Sequence, residues 1–358
     1  MKKIRVAVLY MAVMIVGALA LAPRAGVANH YILCDGNKKC ALGAPFSSLA
    51  YIGNTSSDYV TVIDTTTNTV VSTVNVGQHT TGIAVNAAAS RAYAANSQNV
   101  VVINMATNEV IANIAYGTIP DMVAGVALNP AGTRLYVTDQ QRAGIAVIDT
   151  ATNTVITNVT TGYHAFRIAV SPDGRRVYAT SFYDDMVSVI DALTDSVVAN
   201  IPIDNPFFSP PIAAGDFSAG PSGVVVNPAG TRVYVANAFL NDPSLSHVYV
   251  TVIDATTNTI IANVPTGPSR SLDIAMDPAG TRVYTSNGAV IDTATNTVVG
   301  AIPASSYGLA VDPTGTKIYA LQAVPPMVLV VDAESKAAVA TIPLDETPFA
   351  VGQFISGP

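Results

Sequence analysis

The stretch VIDTATNTV, Val147 to Val155, decides how this chain is read, because it recurs. It stands as VIDTTTNTV from Val62, VINMATNEV from Val102, VIDALTDSV from Val189, VIDATTNTI from Val252, VIDTATNTV from Val290 and, more divergent, VVDAESKAAV from Val330. Each copy follows a strand-like run with one tyrosine: Tyr51, Tyr93, Tyr136, Tyr178, Tyr234, Tyr284 and Tyr319. Successive tyrosine spacings range from 35 (Tyr284 to Tyr319) to 56 (Tyr178 to Tyr234). A repeat of roughly forty residues marks a repeat architecture, in which each unit is one supersecondary element that cannot bury its apolar face alone.

Each unit resolves into four strands. Around Tyr178 these are a short apolar run at Ile168, RVYAT from Arg176, MVSVID from Met186 and VVANIPI from Val197. Val, Ile, Tyr and Thr with period-two alternation read as β-strand. The turns are specified chemically. Asn129-Pro130-Ala131-Gly132, Ser171-Pro172-Asp173-Gly174, Asn227-Pro228-Ala229-Gly230, Asp277-Pro278-Ala279-Gly280 and Asp312-Pro313-Thr314-Gly315 share one design. A short polar side chain bonds the backbone ahead, Pro presets φ, and Gly supplies a left-handed residue. A second turn runs from the Asp of VID to Asn68, Asn153, Asn258 or Asn296, and Asn tolerates the left-handed region. Recurrence at a turn makes Asp64, Asp149, Asp191, Asp254, Asp292 and Asp332 structural hydrogen-bond acceptors rather than a catalytic set.

The first strand of each unit carries Ala84, Ala127, Ala169, Ala275 or Ala310 at an equivalent point, as expected where units crowd toward an axis. The chain enters the repeat at a second strand, near Tyr51, and leaves on an extra run, Phe349 to Phe354, that fits a first strand. The expected fold is therefore all-β: a seven-bladed β-propeller of four-stranded antiparallel blades, closed by pairing the C-terminal strand with the N-terminal strands, over 49–358. Closure removes a sheet edge that would otherwise be free to aggregate.

RVYVAN, VIDTATNTV and NPAGTRVYV resemble the YVTN family of propeller repeats over about 300 residues, from Leu49 onward. The resemblance implies an envelope or surface protein and extends, more distantly, to lactonase-like and quinoprotein-associated propellers. It specifies fold far better than function, since one scaffold hosts binders and enzymes alike.

Only 11% of the residues are charged and half are hydrophobic, which excludes a disordered chain. The formal charge of −7 supplies none of the basic excess on which nucleic-acid binding draws. Lys2, Lys3 and Arg5, an apolar run from Val6 to Pro23, and small residues ending at Ala28 form a secretory signal pattern over 1–28, with an uncleaved anchor as the alternative. Residues 29–48 form an N-terminal extension. Its Cys34 and Cys40 read as a small disulfide loop in an oxidising compartment; two free thiols, or a redox or metal pair, are the alternatives. The expected location is secreted, periplasmic or at the cell surface, and a monomer is expected.

In a four-stranded antiparallel blade, links between strands two and three share one face with the links between blades. Nearly all the length variation falls there. Residues 202–221 join two blades, and 237–247 join two strands of the fifth. Insertions confined to one face usually mark the binding face, and neutral drift in solvent-exposed loops is the alternative. These insertions carry Phe207, Phe208, Phe217, Phe239 and His247, candidate contacts for a protein or glycan partner. His79 and His164 occupy equivalent inter-blade positions on the same face and are weak metal candidates; Arg167, Arg270, Asp273, Asp345 and Glu346 belong to the same rim, where solvated side chains are expected. Arg167 is a further partner-binding candidate. No nucleophile elbow, zinc-protease motif or phosphate-binding glycine loop is present, and no cofactor is expected. The pattern reads as a non-catalytic binding or scaffold protein; the alternative is a lactonase-like or quinoprotein-associated enzyme with its site at the channel mouth.

Overall fold

The computed structural model describes residues 48–77, 79–96, 99–116, 125–139, 144–203, 220–238, 248–349 and 354–355, together with the backbone of 32–34 and 40–42. The chain divides into two units, Met1–Phe46 and Ser47–Pro358. The first contributes one described hairpin, in which Cys34 stands opposite Cys40 in register. The expected disulfide and signal segment concern side chains and residues outside those described.

The second unit is a seven-bladed propeller. Six blades are four-stranded antiparallel sheets spanning 82–115, 126–160, 165–202, 221–267, 274–301 and 308–343. Blade one, residues 49–75, has three consecutive strands and takes its fourth from the C-terminus. Ala50 bridges Ile355, and the Tyr51 N–H donates to the Phe354 carbonyl at 2.9 Å. Upstream, the Phe349 N–H donates to the Gly53 carbonyl at 2.8 Å. The described residues contain no helix. The closure expected from the terminal offset is thus present, and Phe354 and Ile355 are buried.

One register unites the blades. Each repeat tyrosine stands opposite a valine of the third strand: Tyr51 and Val62, Tyr93 and Val102, Tyr136 and Val147, Tyr178 and Val189, Tyr234 and Val252, Tyr284 and Val290, Tyr319 and Val330. On its other side the tyrosine meets the small residue of the first strand, as in Ala84–Tyr93, Ala127–Tyr136, Ala169–Tyr178, Ala275–Tyr284 and Ala310–Tyr319. Blade five has Val225 there, and blade one has Phe354. All seven tyrosines are buried and fill the space between blades, the main apolar payload of the fold.

The blades are also stitched by polar contacts on the face of the short turns. The second-strand base reaches the carbonyl that follows the VID segment of the next blade: Arg91 to Thr150 at 2.8 Å, Arg134 to Ala192 at 2.7 Å, Arg232 to Thr293 at 2.6 Å, and, across the closure, Lys317 to Thr65 at 3.4 Å. Arg176 and Arg282 instead pair with Asp191 and Asp292 of their own blades. In the VID turns the Asp accepts two backbone N–H groups, as Asp254 does from Thr256 and Thr257, both at 2.9 Å. The residue four beyond the Asp, or beyond Asn104 in blade two, is left-handed in all seven blades: Asn68, Asn108, Asn153, Asp195, Asn258, Asn296 and Lys336. Every pairing of third and fourth strands carries a register shift just after the tyrosine's valine partner, for example between Val147 and Ile148. Such bulges twist the outer strand, whose β-branched side chains are exposed, and blunt it as a template for edge pairing.

Candidate functional site

The site is set by one position of the first strand, two residues before the small residue that faces the tyrosine. Glycine occupies it in blades two, three, five and seven, as Gly82, Gly125, Gly223 and Gly308. In the sequence of the closing strand, two residues before Phe354, stands Gly352. Blades four and six differ. They place Arg167 and Asp273 there, the two opposite charges of the set.

Close packing explains the glycines. A Cβ on Gly125 would lie 2.7 Å from the Phe166 carbonyl oxygen and 3.0 Å from the Arg167 Cα, and one on Gly223 would lie 2.8 Å from the Asp273 Cα. First strands therefore touch near the axis, and a side chain is accommodated only where the neighbouring blade supplies glycine. The backbone at this position is held in turn by a second-strand hydroxyl. Thr138 accepts the Gly125 N–H at 2.6 Å, Thr180 accepts that of Arg167 at 3.0 Å, and Ser286 accepts that of Asp273 at 3.1 Å. One of these links continues around the ring: the Thr180 hydroxyl donates to the Ser222 carbonyl at 2.8 Å, and the Ser222 hydroxyl, on the first strand of the next blade, to the Ser271 carbonyl at 2.9 Å. A rigid frame thus presents the Arg167 and Asp273 side chains.

Arg167 is 3% exposed, and none of its three guanidinium nitrogens has a hydrogen-bond partner among the described residues. Its guanidinium carbon sits 4.0 Å from the centroid of the Phe166 ring. It lies 5.7 Å from that of Phe349, a residue of the closing segment and so of the opposite side of the ring. Asp273 is 5% exposed, and its carboxylate accepts the Leu309 N–H at 3.1 Å. Burial pulls the Arg167 guanidinium down to about 10, against the favourable charge of Asp273, and pushes the Asp273 carboxyl up to about 6, against that of Arg167. The two feel one another's charge without forming an ion pair. The expectation of solvated rim side chains fails for both, while Arg270, Asp345 and Glu346 are exposed. Arg167 and Asp273 both stand at the first-strand position nearest the axis, where the preceding blade supplies glycine, Gly125 against Arg167 and Gly223 against Asp273.

Beside this pair, blade four carries a chain of rings. Phe166 packs on Phe182 at 5.4 Å, Phe182 on Tyr183 at 5.2 Å, Tyr183 on His164 at 4.6 Å and His164 on Tyr163 at 4.5 Å. The chain runs from buried Phe182 to Tyr163 and Tyr183, which are 54% and 58% exposed. His79 and His164 do occupy equivalent left-handed positions, with φ of 59° and 57°. Among the described residues, no group of three or more His, Cys, Asp or Glu side chains could hold a metal ion. Phe207, Phe208, Phe217, Phe239 and His247 lie outside the described residues. Arg167 and Asp273 both stood among the rim candidates of the sequence, but their equivalence was missed; aligning the first strands on their alanines reveals it, since glycine fills the other positions.

No family model matches the chain, and no curated protein matches it. Among solved structures it is similar to the Kuenenia stuttgartiensis hydrazine synthase, with 21% identity, a TM-score of 0.67, and coverage of 80% of this chain and 93% of that one. It is also similar to a functionally unknown protein of Desulfotomaculum acetoxidans, with 15% identity, a TM-score of 0.68, and coverage of 87% and 98%. At these identities the likeness is one of fold: this is a seven-bladed β-propeller.

Proposed function

We propose that this protein is an extracytoplasmic propeller of the YVTN type that binds a protein or glycan partner through its variable-loop face and performs no catalysis. The observation that carries the reading is the ring cluster of blade four. Tyr163 and Tyr183 are exposed, flank His164, and are anchored through Phe182 to the strand that lines the axis. Rigid amphipathic rings rooted in a core are common anchors of recognition surfaces, whether the partner offers apolar side chains or sugar faces. The leader-like 1–28 segment and the length variation of 202–221 and 237–247 support the same reading. Replacing Tyr163 and Tyr183 by Ala tests it. Partner retention from an envelope fraction is expected to fall at least tenfold with the melting temperature nearly unchanged; full retention by the folded variant would exclude this surface.

A second reading, an enzyme with its site at the channel mouth, is favoured by one observation. Asp273 is a buried carboxyl pushed up to about 6 beside a buried cation, the kind of perturbation found at functional sites. Hydrolysis of a simple lactone by the purified protein, falling at least a hundredfold in Asp273→Asn, would favour the enzyme over the binder.

A further inference from the structure

Among the described residues, Arg167 has no hydrogen-bond partner that explains its burial. Burying a guanidinium without hydrogen bonds costs more than a cation–π contact returns. The contact with Phe166 therefore does not offset the burial. Nor does Asp273 complete it, since that carboxylate is engaged by the Leu309 N–H and forms no ion pair with Arg167. The replacement is also specific. Four other blades place glycine at this position in the described structure, so the fold does not need a side chain here.

We propose that Arg167 is the anchor of a ligand site at the axis that takes the carboxylate group of a small molecule entering from the variable-loop face. The guanidinium presents a planar fork of donors that matches a carboxylate with two parallel hydrogen bonds. Phe166 lies against the guanidinium at 4.0 Å and Phe349 approaches it at 5.7 Å from the far side of the ring, while all three guanidinium nitrogens stay buried and unpaired among the described residues, donors that a carboxylate would satisfy. Tyr307 packs on Phe349 at 5.9 Å and extends this wall. Asp273 fits as the balancing group. Among the described residues, Arg167 is the charged group acting on Asp273, and Asp273 the one acting on Arg167. A carboxylate on Arg167 removes the compensation that keeps Asp273 ionised, so above pH 6 binding is coupled to proton uptake by Asp273, and affinity weakens as pH rises above 6.

The inference rests on the reading of the variable-loop face as the binding face, but it can fail separately. Acetate is the probe and acetamide its neutral counterpart, titrated calorimetrically into the full-length protein at pH 5.5 and pH 7.5. The expected result is saturable one-site binding of acetate, at least fivefold tighter at pH 5.5, with none of acetamide. Arg167→Lys keeps the charge but not the fork and is expected to weaken acetate at least tenfold. Asp273→Asn is expected to bind acetate at pH 7.5 at least as tightly as the unaltered protein does at pH 5.5, without proton uptake. The Tyr163→Ala, Tyr183→Ala protein is expected to keep acetate binding even where partner retention is lost, which separates the two claims. Absence of saturable binding in both the unaltered protein and Asp273→Asn overturns the proposal and leaves the guanidinium to water. Equal affinity for acetamide, or acetate binding unchanged in Arg167→Lys, overturns it as well.

Discussion

The Tyr51 N–H donates to the Phe354 carbonyl at 2.9 Å, joining a strand near the start of the repeat to the end of the chain. That bond and the Ala50–Ile355 bridge beside it convert an open array of blades into a ring. Phe354 and Ile355 are both buried, and losing them removes about 3–6 kcal/mol of burial before any cost of exposed strand edges. Deleting residues 349–358 is expected to lower the melting midpoint by roughly 10 °C or more. An unchanged midpoint in a thermal melt would mean that the ring does not depend on this closure.

Close packing of the short turns makes a second expectation. Gly280 has a φ of 70°, and a Cβ there would fall 2.6 Å from Pro228 Cδ of the preceding blade. Gly280→Ala combines backbone strain with a clash against a rigid ring and is expected to cost about 1–3 kcal/mol. Chemical denaturation is the check. Gly267→Ala also faces a positive φ, 111°, but meets no atom within 4 Å, so it isolates the strain from the clash.

Two sets of carboxylates give opposite pH dependences. Asp149, Asp191, Asp254, Asp292 and Asp332 are held below 3.8, in each case first by the backbone N–H three residues ahead: Thr152, Thr194, Thr257, Thr295 and Ser335. Their contribution is complete above the unfolded value near 3.8 and is lost as pH falls through the lowered folded values. Replacing all five by Asn, the residue already present as Asn104 with its Oδ1 accepting the Ala106 N–H at 2.9 Å, keeps the turn acceptor and removes the titration. Stability below pH 4 is then expected to fall less steeply than in the unaltered protein, as read by acid unfolding curves.

Asp273 behaves in the opposite sense. Its folded value of about 6 lies above 3.8, so the unfolded chain releases the proton first as pH rises. Its contribution is complete below about pH 4, is lost as pH rises through 6 and is constant beyond, a change of about 3 kcal/mol. The stability of Asp273→Asn relative to the unaltered protein is therefore expected to increase between pH 4 and pH 7. Parallel melting curves across that window, with no change in the difference, would contradict the burial of this carboxyl.

The fold was legible because its determinants are local and repeated, the tyrosine and the VID-type turn seven times and the Pro–Gly turn five. The tyrosine, the VID turn and the Pro–Gly turn each specify a backbone geometry within a few residues. Even Asp195 and Lys336, which depart from the Asn consensus, adopt the left-handed conformation that the turn requires. The closing strand was legible from the offset between Tyr51 and Phe354. The site was legible only as a face. Which rim side chains turn inward depends on how neighbouring first strands touch, and Arg167 and Arg270 look alike in sequence although one is buried and the other exposed. That difference is one of repeat position: Arg167 stands two residues before Ala169, against Gly125 of the preceding blade, whereas Arg270 stands five residues before Ala275, in the link between blades.

The most direct test of the binding account compares the two faces of the ring. The unaltered protein, a variable-face variant (Tyr163→Ala, Tyr183→Ala) and an opposite-face variant altered in exposed VID-turn residues (Leu193→Ser, Thr256→Ser) are immobilised, and retention of partners from an envelope fraction is quantified. The account predicts at least a tenfold loss for the variable-face variant and unchanged retention for the opposite-face variant, with all three melting within a few degrees of one another. Equal retention by the variable-face variant, or a loss confined to the opposite-face variant, would contradict it.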